Sequence, residues 1–391
     1  MYKITNGKII TEDGILEGYD LLLQDDLIKG IVKSESEIEE EIEEIDAKGG
    51  YISPGFIDIH SDYIENMSSP RPTSIMDFNL SIRETEKVLL NNGITTMFHS
   101  LSFYGLDLFE NKPVRKKENV VKLMDVITKA HNEEHLIRHR FHARMEIDSI
   151  DEIENIKKYI KEDRVNLLSF MDHTPGQGQY GDINTYRKIL KGYKDVSDEE
   201  IDEMVEARRN KATITHETMK EIADLAREKN IAIASHDDDS SEKIDLLKEL
   251  GATISEFPIT MDVAKDAKKK GMFVIVGAPN VLLGGSHAGN LSAAEAIKEK
   301  AADILCSDYY PSAMLHALFI MNEKYNMDLC EMFKLVTINP AKAVKIDNVL
   351  GSIKEGKKAD LLIIEKDKNN MPIITTVIVD GKITSTINYR R

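Results

Sequence analysis

The sequence predicts an α/β fold: a (β/α)8 TIM barrel with a small β-sandwich domain built from both chain ends. Three observations lead there. Eight strand-like runs alternate with helical ones through the middle of the chain. Both ends have a different texture, short apolar runs broken by turn dipeptides. A chain of 391 residues is long for one compact domain unless that domain is a barrel, which takes about 250 residues.

At the start, "YKITNGKIITEDGILEGYDLLLQDDLIKGIVKS" reads as short strands separated by Asn6-Gly7, Asp13-Gly14 and Asp25-Asp26. At the end, "ADLLIIEKD" and "TTVIVDGKI" are strand-like, with Asp380-Gly381 as a turn. Neither end has enough strands to stand alone, so the two are expected to pair. The expected boundaries are 1–50 and 346–391 for the two parts of the sandwich and 51–345 for the barrel. The acidic run at 34–46 reads as a solvated loop or short helix.

The barrel strands are expected in "GFIDIH", "ITTMFHS", "IRHRFHARMEI", "VNLLSFMD", "IAIASHD", "ATISEFP", "FVIVGAP" and "ADILCSD". Amphipathic helical stretches such as "VVKLMDVITKAHNEEH" and "TMKEIADLAREKN" lie between them. The longest connection, 174–230, follows the fourth strand and holds extra helices. One of them opens with a capping box, Ser197 to Glu200.

Composition narrows the function classes. Lys plus Arg number 51 and Asp plus Glu 68, a net charge of −17. Neither a nucleic acid nor an anionic membrane surface would attract such a chain. A small phosphorylated substrate remains compatible, because its binding depends on the local field. Two cysteines, no apolar leader in "MYKITNGKII" and no run near the length of a membrane span point to a soluble, cytoplasmic protein.

Catalytic groups of such a barrel collect where its strands end. The first strand ends at His60 and Asp62, two residues apart and thus expected on one face. In the third, Phe141, Ala143, Met145 and Ile147 form an apolar face for the helices. His142, Arg144 and Glu146 then point inward, with Glu146 nearest the mouth. The fourth strand ends in Asp172-His173, the fifth in His236-Asp237 and the eighth in Asp308. The set His60, Asp62, Glu146, His173, His236 and Asp308 mixes imidazoles and carboxylates. That chemistry suits one or two divalent transition-metal ions, zinc first, with manganese or iron as the other candidates. A lone histidine at a strand end is usually a satisfied polar group; six such residues at one barrel mouth are not readily explained so.

Weaker motifs have blander readings. "HNEEH" (131–135) matches a zinc-protease pattern but falls before the third strand, away from the mouth. The glycines of "NVLLGGSHAGN" (280–290) either form a flexible turn or let backbone N–H groups approach a phosphate, with Ser286, His287 and Asn290 beside the substrate. His99, His139, His216 and His316 read as structural. His142 reads as a support for the ligands.

With these residues in place, the chain resembles the amidohydrolase superfamily, through "SPGFIDIH" and "GSIKEGKKADLLII". More narrowly it resembles the diphosphatases of the carbon–phosphorus lyase pathway, through "IHSDYIE", "FHARMEI", "FMDHTPGQGQY", "ASHDDDS", "GAPNVLLGGSHAGN" and "SDYYPSAMLHALF". In that family the first strand itself carries His-x-Asp, so Asp62 matches a ligand position. The resemblance implies a barrel in which His60, Asp62, Glu146, His173, His236 and Asp308 hold the metals and Asp308 also takes the proton of an attacking water. It implies hydrolysis of alpha-D-ribose 1-methylphosphonate 5-triphosphate to the 5-phosphate, with release of diphosphate. Arg71 in "SPRPT" and Gln177 join Ser286, His287 and Asn290 as expected substrate contacts. Arginines that the family often carries near 283 and near 178 or 181 are missing here, where the residues are Leu283, Gly178 and Gly181. Hydrolysis of a cyclic amide or deamination of a ring therefore stays open as the alternative, as does a non-enzymatic binding role. A homodimer and an association with other phosphonate-pathway proteins stay open too.

Overall fold

A computed structural model describes residues 1–36, 42–103, 113–178, 187, 191, 196–285 and 290–389. Seven strands precede the barrel: β1 (Tyr2–Thr5), β2 (Lys8–Ile10), β3 (Ile15–Leu16), β4 (Tyr19–Gln24), β5 (Leu27–Lys33), β6 (Glu43–Asp46) and β7 (Tyr51–Pro54). The barrel strands are β8 (Phe56–Ser61), β9 (Ile94–Phe103), β10 (Arg138–Glu146), β11 (Leu167–Met171), β12 (Ala232–His236), β13 (Ile254–Glu256), β14 (Phe273–Gly277) and β15 (Ile304–Cys306). Three strands close the chain: β16 (Leu361–Lys366), β17 (Pro372–Val379) and β18 (Lys382–Thr386).

The eight central strands form one parallel sheet in chain order, as the alternating runs predict. A bridge between Ser61 and Asp308 brings the first strand to the chain just past the last one. Helices cover the outside. Phe141, Ala143 and Met145 of β10 sit in the large apolar cluster shared with those helices, as the alternation in "RHRFHARMEI" requires. A smaller cluster holds Leu167, Ala232, Ala234, Ile254, Ile275, Ile304 and Cys306, each from a different or alternate position of the barrel strands.

The chain ends do pair. β16 runs antiparallel to β7, matching Leu361 to Pro54 and Ile364 to Tyr51. This makes a six-stranded sheet in the order β18-β17-β16-β7-β2-β3, beside a four-stranded sheet β5-β4-β1-β6. Their apolar residues, among them Ile4, Leu21, Ile52, Leu361 and Ile363, share one core. The acidic run differs from expectation at its end. Residues 43–46 form β6, parallel to β1, with Ile45 opposite Ile4. Ile45 is partly buried against the sandwich core.

The Ser197–Glu200 capping box is present and opens the helix Asp198–Arg209. The helix carrying His131 ends at Asn132, so His131 and His135 do not share a helical face. His135 Nδ1 lies instead 2.7 Å from the Glu133 carbonyl. Among the described residues, no helix is long and apolar enough to cross a membrane.

Arg138 ties the barrel to the C-terminal strands. It is buried at the start of β10 and pairs with Asp360 and Asp380. Burial raises the Asp360 carboxyl above its ordinary range, and Arg138 works against that rise. Replacing Arg138 by Met should therefore cost about 3 kcal/mol at neutral pH, because it strands a buried carboxylate. The loss should shrink in acid, where Asp360 protonates and no longer needs a partner. Urea unfolding of both proteins at two pH values measures this; an equal loss at both would argue against it.

Candidate metal centre

The strand ends of the barrel converge on a buried group of imidazoles and carboxylates. His60 (β8), His236 (β12) and Glu256 (β13) offer ligand atoms all within 4.8 Å of one another. His173, His236 and Asp237 do the same on the other side of His236. All five residues are buried. His60 Nδ1 lies 3.1 Å from Glu256 Oε1. Asp237 Oδ2 lies 3.2 Å from His236 Nδ1 and 3.4 Å from His173 Nε2. Glu146, at the end of β10, is hydrogen-bonded to His173 Nδ1.

Local backbone geometry explains how neighbours in sequence both reach this point. Along a strand, consecutive side chains point to opposite faces. Asp237 (φ 52°), Phe257 (φ 55°) and Asp308 (φ 58°) each adopt the left-handed conformation just past a strand end. That reversal brings Asp237 beside the same histidines as His236. It also lays the Phe257 ring 4.8 Å from that of His60 and 5.4 Å from that of His236, next to Glu256. A left-handed phenylalanine is an outlier, and such strain concentrates at functional sites.

Beneath the cluster, His142 is fully buried, with Nδ1 2.9 Å from Ser100 Oγ and Nε2 2.7 Å from Ser169 Oγ. Its ring meets that of His60 edge-on at 5.3 Å. Asp58 accepts from the backbone N–H groups of His60 and Ser307. Asp238 takes the hydroxyls of Ser235 and Ser255 on its two oxygens. These contacts fix the strand ends that carry His60, His236 and Glu256.

The charges are sharply divided. Burial holds His236 down near pH 4 and His60 well below its usual range, with the Arg144 charge adding to both. Burial also opposes a charge on His173, but Glu146 and Asp237 outweigh it and push His173 up to about 9. Burial raises Asp308 to about 7, helped by the Asp62 charge.

The residues suit a divalent ion. His236 Nδ1, Asp237 Oδ2 and Glu256 Oε2 are buried and meet no hydrogen-bond geometry. Two neutral imidazoles with a carboxylate are an ordinary donor set for zinc and its neighbours. An ion here would supply the positive charge that the buried carboxylates call for.

The expected site residues fall into three groups. His60, His173 and His236 meet, with Glu146 on His173. Asp308 lies past β15, its N–H 3.1 Å from the His60 carbonyl. Asp62 stands one residue beyond β8, at the N-terminus of the helix Tyr63–Ser68. Its Oδ2 is 3.6 Å from Arg115 Nη2, and it is outside both three-residue groups. Of the expected substrate contacts, Arg71 and Gln177 are exposed and Asn290 is half-buried. Ser286 and His287 lie outside the described residues, as does Gly181. Glu256 and Asp237 were not in the expected set. Glu256 ends β13 and Asp237 directly follows β12, so the same rule could have found them, but only the fold shows that they reach the histidines.

Gly178 has a structural reason to be glycine. It is left-handed (φ 52°), and a Cβ there would stand 3.1 Å from Asp237. An arginine would be strained and pressed against the cluster. Leu283 ends the helix Ala278–Leu283 and is 66% exposed.

Fold and site together define a (β/α)8 barrel with candidate ligands for a divalent metal at its strand ends. The chain belongs to the amidohydrolase family, whose model matches residues 51–387; a NagA composite domain matches residues 1–52. It is 32% identical, over 95% of its length and 97% of the relative's, to the alpha-D-ribose 1-methylphosphonate 5-triphosphate diphosphatase of Escherichia coli strain K12. Solved structures share the fold. N-acetylglucosamine-6-phosphate deacetylase from Pasteurella multocida superposes with a TM-score of 0.65 at 13% identity, covering 98% of this chain and 99% of that one. A molinate hydrolase gives a TM-score of 0.66 at 16% identity, with 100% and 97% covered.

Glu256→Gln removes a charged oxygen and keeps the shape. Bound metal, counted by elemental analysis after dialysis, should fall, with affinity at least about tenfold weaker. Full retention of metal would exclude Glu256 from the centre.

Proposed function

We propose that this protein hydrolyses a phosphoric anhydride, removing diphosphate from a ribose 5-triphosphate that carries a phosphonate at carbon 1. One observation carries the reading: the likeness to the E. coli diphosphatase runs through nearly the whole of both chains. The mouth is consistent with it.

Divalent ions bound by His60, His173, His236 and the nearby carboxylates would polarise a phosphoryl oxygen and make water a nucleophile near neutral pH. Asp62, Glu146 and Asp308 are the further ligand candidates. The remaining work falls to the chain. Asp308 is placed between the ends of the first and last strands, where its carboxylate takes the proton of the attacking water. The water oxygen bonds to the phosphorus nearest the ribose, the bond from that phosphorus to the bridging oxygen breaks, and diphosphate leaves. Phe257 and the buried walls exclude bulk water from the histidines, which keeps the local field strong. Gln177, Asn290, Arg71, Ser286 and His287 are the candidates for substrate contacts.

The test is phosphorus NMR on metal-replete enzyme with ribose 5-triphosphate. We expect diphosphate and the 5-phosphate as the only products. Asp308→Asn should lower turnover by about 10²-fold or more while the protein stays folded. Turnover of a cyclic amide such as dihydrouracil, with the triphosphate untouched, would overturn the reading in favour of amide hydrolysis.

A further inference from the structure

Resting on the metal centre and on no choice of substrate, we propose that Lys243 is a positioning residue for that centre: its ammonium holds the turn that brings Asp237 beside His236. The ladder between β11 and β12 ends at Ser235, opposite Phe170. Two residues later the chain is left-handed, at Asp237. On one side of this turn the Asp237 N–H donates to the Glu256 carbonyl at 2.8 Å. On the other side Lys243 supplies the donors. Its Nζ lies 2.7 Å from the His236 carbonyl and 3.2 Å from the Asp237 carbonyl. One ammonium thus bridges the two peptides that flank Asp237, and their relative orientation is what aims the Asp237 carboxylate.

Lys243 is itself fixed at both ends. It stands in the first turn of the helix Ser241–Glu249, where its N–H donates to the capping hydroxyl of Ser240 at 3.3 Å. Its side chain is half-buried and folds back over the turn, with Nζ 3.9 Å from Asp238 Oδ1. The neighbouring groups of the turn are tied to the barrel as well. Asp238 takes the Ser235 and Ser255 hydroxyls, and its carbonyl accepts from the Ile259 N–H at 2.9 Å. Asp239 Oδ2 accepts from the Gly178 N–H at 2.7 Å. A lysine in a first helical turn opposes the helix dipole, which favours cations at the other end. Charge-assisted bonds to two carbonyls offset that; a surface role would not. Nor does charge toward the ion explain the placement, because an ammonium beside the ligands repels a divalent cation.

The test is zinc titration of metal-free protein against a competing chelator, for wild type, Lys243→Met, Lys243→Arg and, as a charge control on the same helix, Lys248→Met. Urea unfolding of each metal-free protein accompanies it. We expect zinc affinity about ten- to a hundredfold weaker in Lys243→Met. Lys243→Arg should recover part of the loss, since a guanidinium can donate to both carbonyls. Lys248→Met, at an exposed position, should bind zinc as wild type does. Wild-type affinity in Lys243→Met overturns the proposal even if its urea midpoint falls, because the lysine then serves stability alone. Tighter binding overturns it too, as the mark of a charge that only repels the ion. If Lys243→Met does not fold, Lys243→Gln decides: weaker zinc binding supports the role, and wild-type or tighter binding overturns it. A wild type that binds no zinc removes the metal centre and the role of Lys243 with it. A wild type that binds zinc and leaves ribose 5-triphosphate intact removes the diphosphatase reading alone, and weaker binding by Lys243→Met would still support the role.

Discussion

The structure depends on the joining of its first and last barrel strands. The Asp308 N–H donates to the His60 carbonyl at 3.1 Å, and the Asp62 N–H donates to the Asp308 carbonyl at 3.0 Å. These two bonds, which form the bridge between Ser61 and Asp308, bring together segments almost 250 positions apart. Without them the sheet would be an open one with two bare edges. With them, a histidine and an aspartate from opposite ends of the barrel become neighbours. The closure also returns the chain to its starting side, so that β16 can pair with β7 and complete the sandwich.

The second determinant is how strands stop. Where β12 and β13 end, the next residue turns left-handed, and two consecutive side chains then serve the mouth. His236 and Asp237 both face His173, while Glu256 and Phe257 both face His60. The strain is of order 1–3 kcal/mol per residue. It is offset by a barrel wall packed on both sides and by the hydrogen bonds of Asp237 and Phe257 N–H groups to Glu256 and Ile275 carbonyls. A rigid wall is what allows carboxylates to be held near neutral imidazoles without relaxing toward water.

Electrostatics set the balance within this wall. The chain as a whole is acidic, and the mouth concentrates that charge in Asp237, Glu256, Glu146, Asp308 and Asp62. An acidic mouth repels an anion unless metal ions and a cation reverse the local field. Arg115 pairs with Asp62 and Glu65, and the Arg144 guanidinium lies 3.2 Å from His236 Nε2. The pairing of His173 with Glu146, in contrast to the neutral His60 and His236, shows that one imidazole of the three is held by a neighbouring charge rather than left to burial.

By itself the sequence determined the alternation of strands and helices, because apolar periodicity is local and a short apolar or alternating run between helical stretches reads as a strand. It also determined that both ends are β-structure, that β10 presents His142, Arg144 and Glu146 to one side, and that most strands finish in a metal-ligating type of residue. Those are properties of neighbours along the chain. What only the tertiary structure decided is which of these residues meet. Glu256 and Asp237 join the histidines because left-handed turns redirect them, and the sign of φ at an aspartate or phenylalanine is not written in its identity. Asp62 stands off from both three-residue groups because β8 ends one residue earlier than the His-x-Asp spacing suggests. β6 formed from an acidic run because β1 offered it an open edge, and an edge exists only once the sheet has folded.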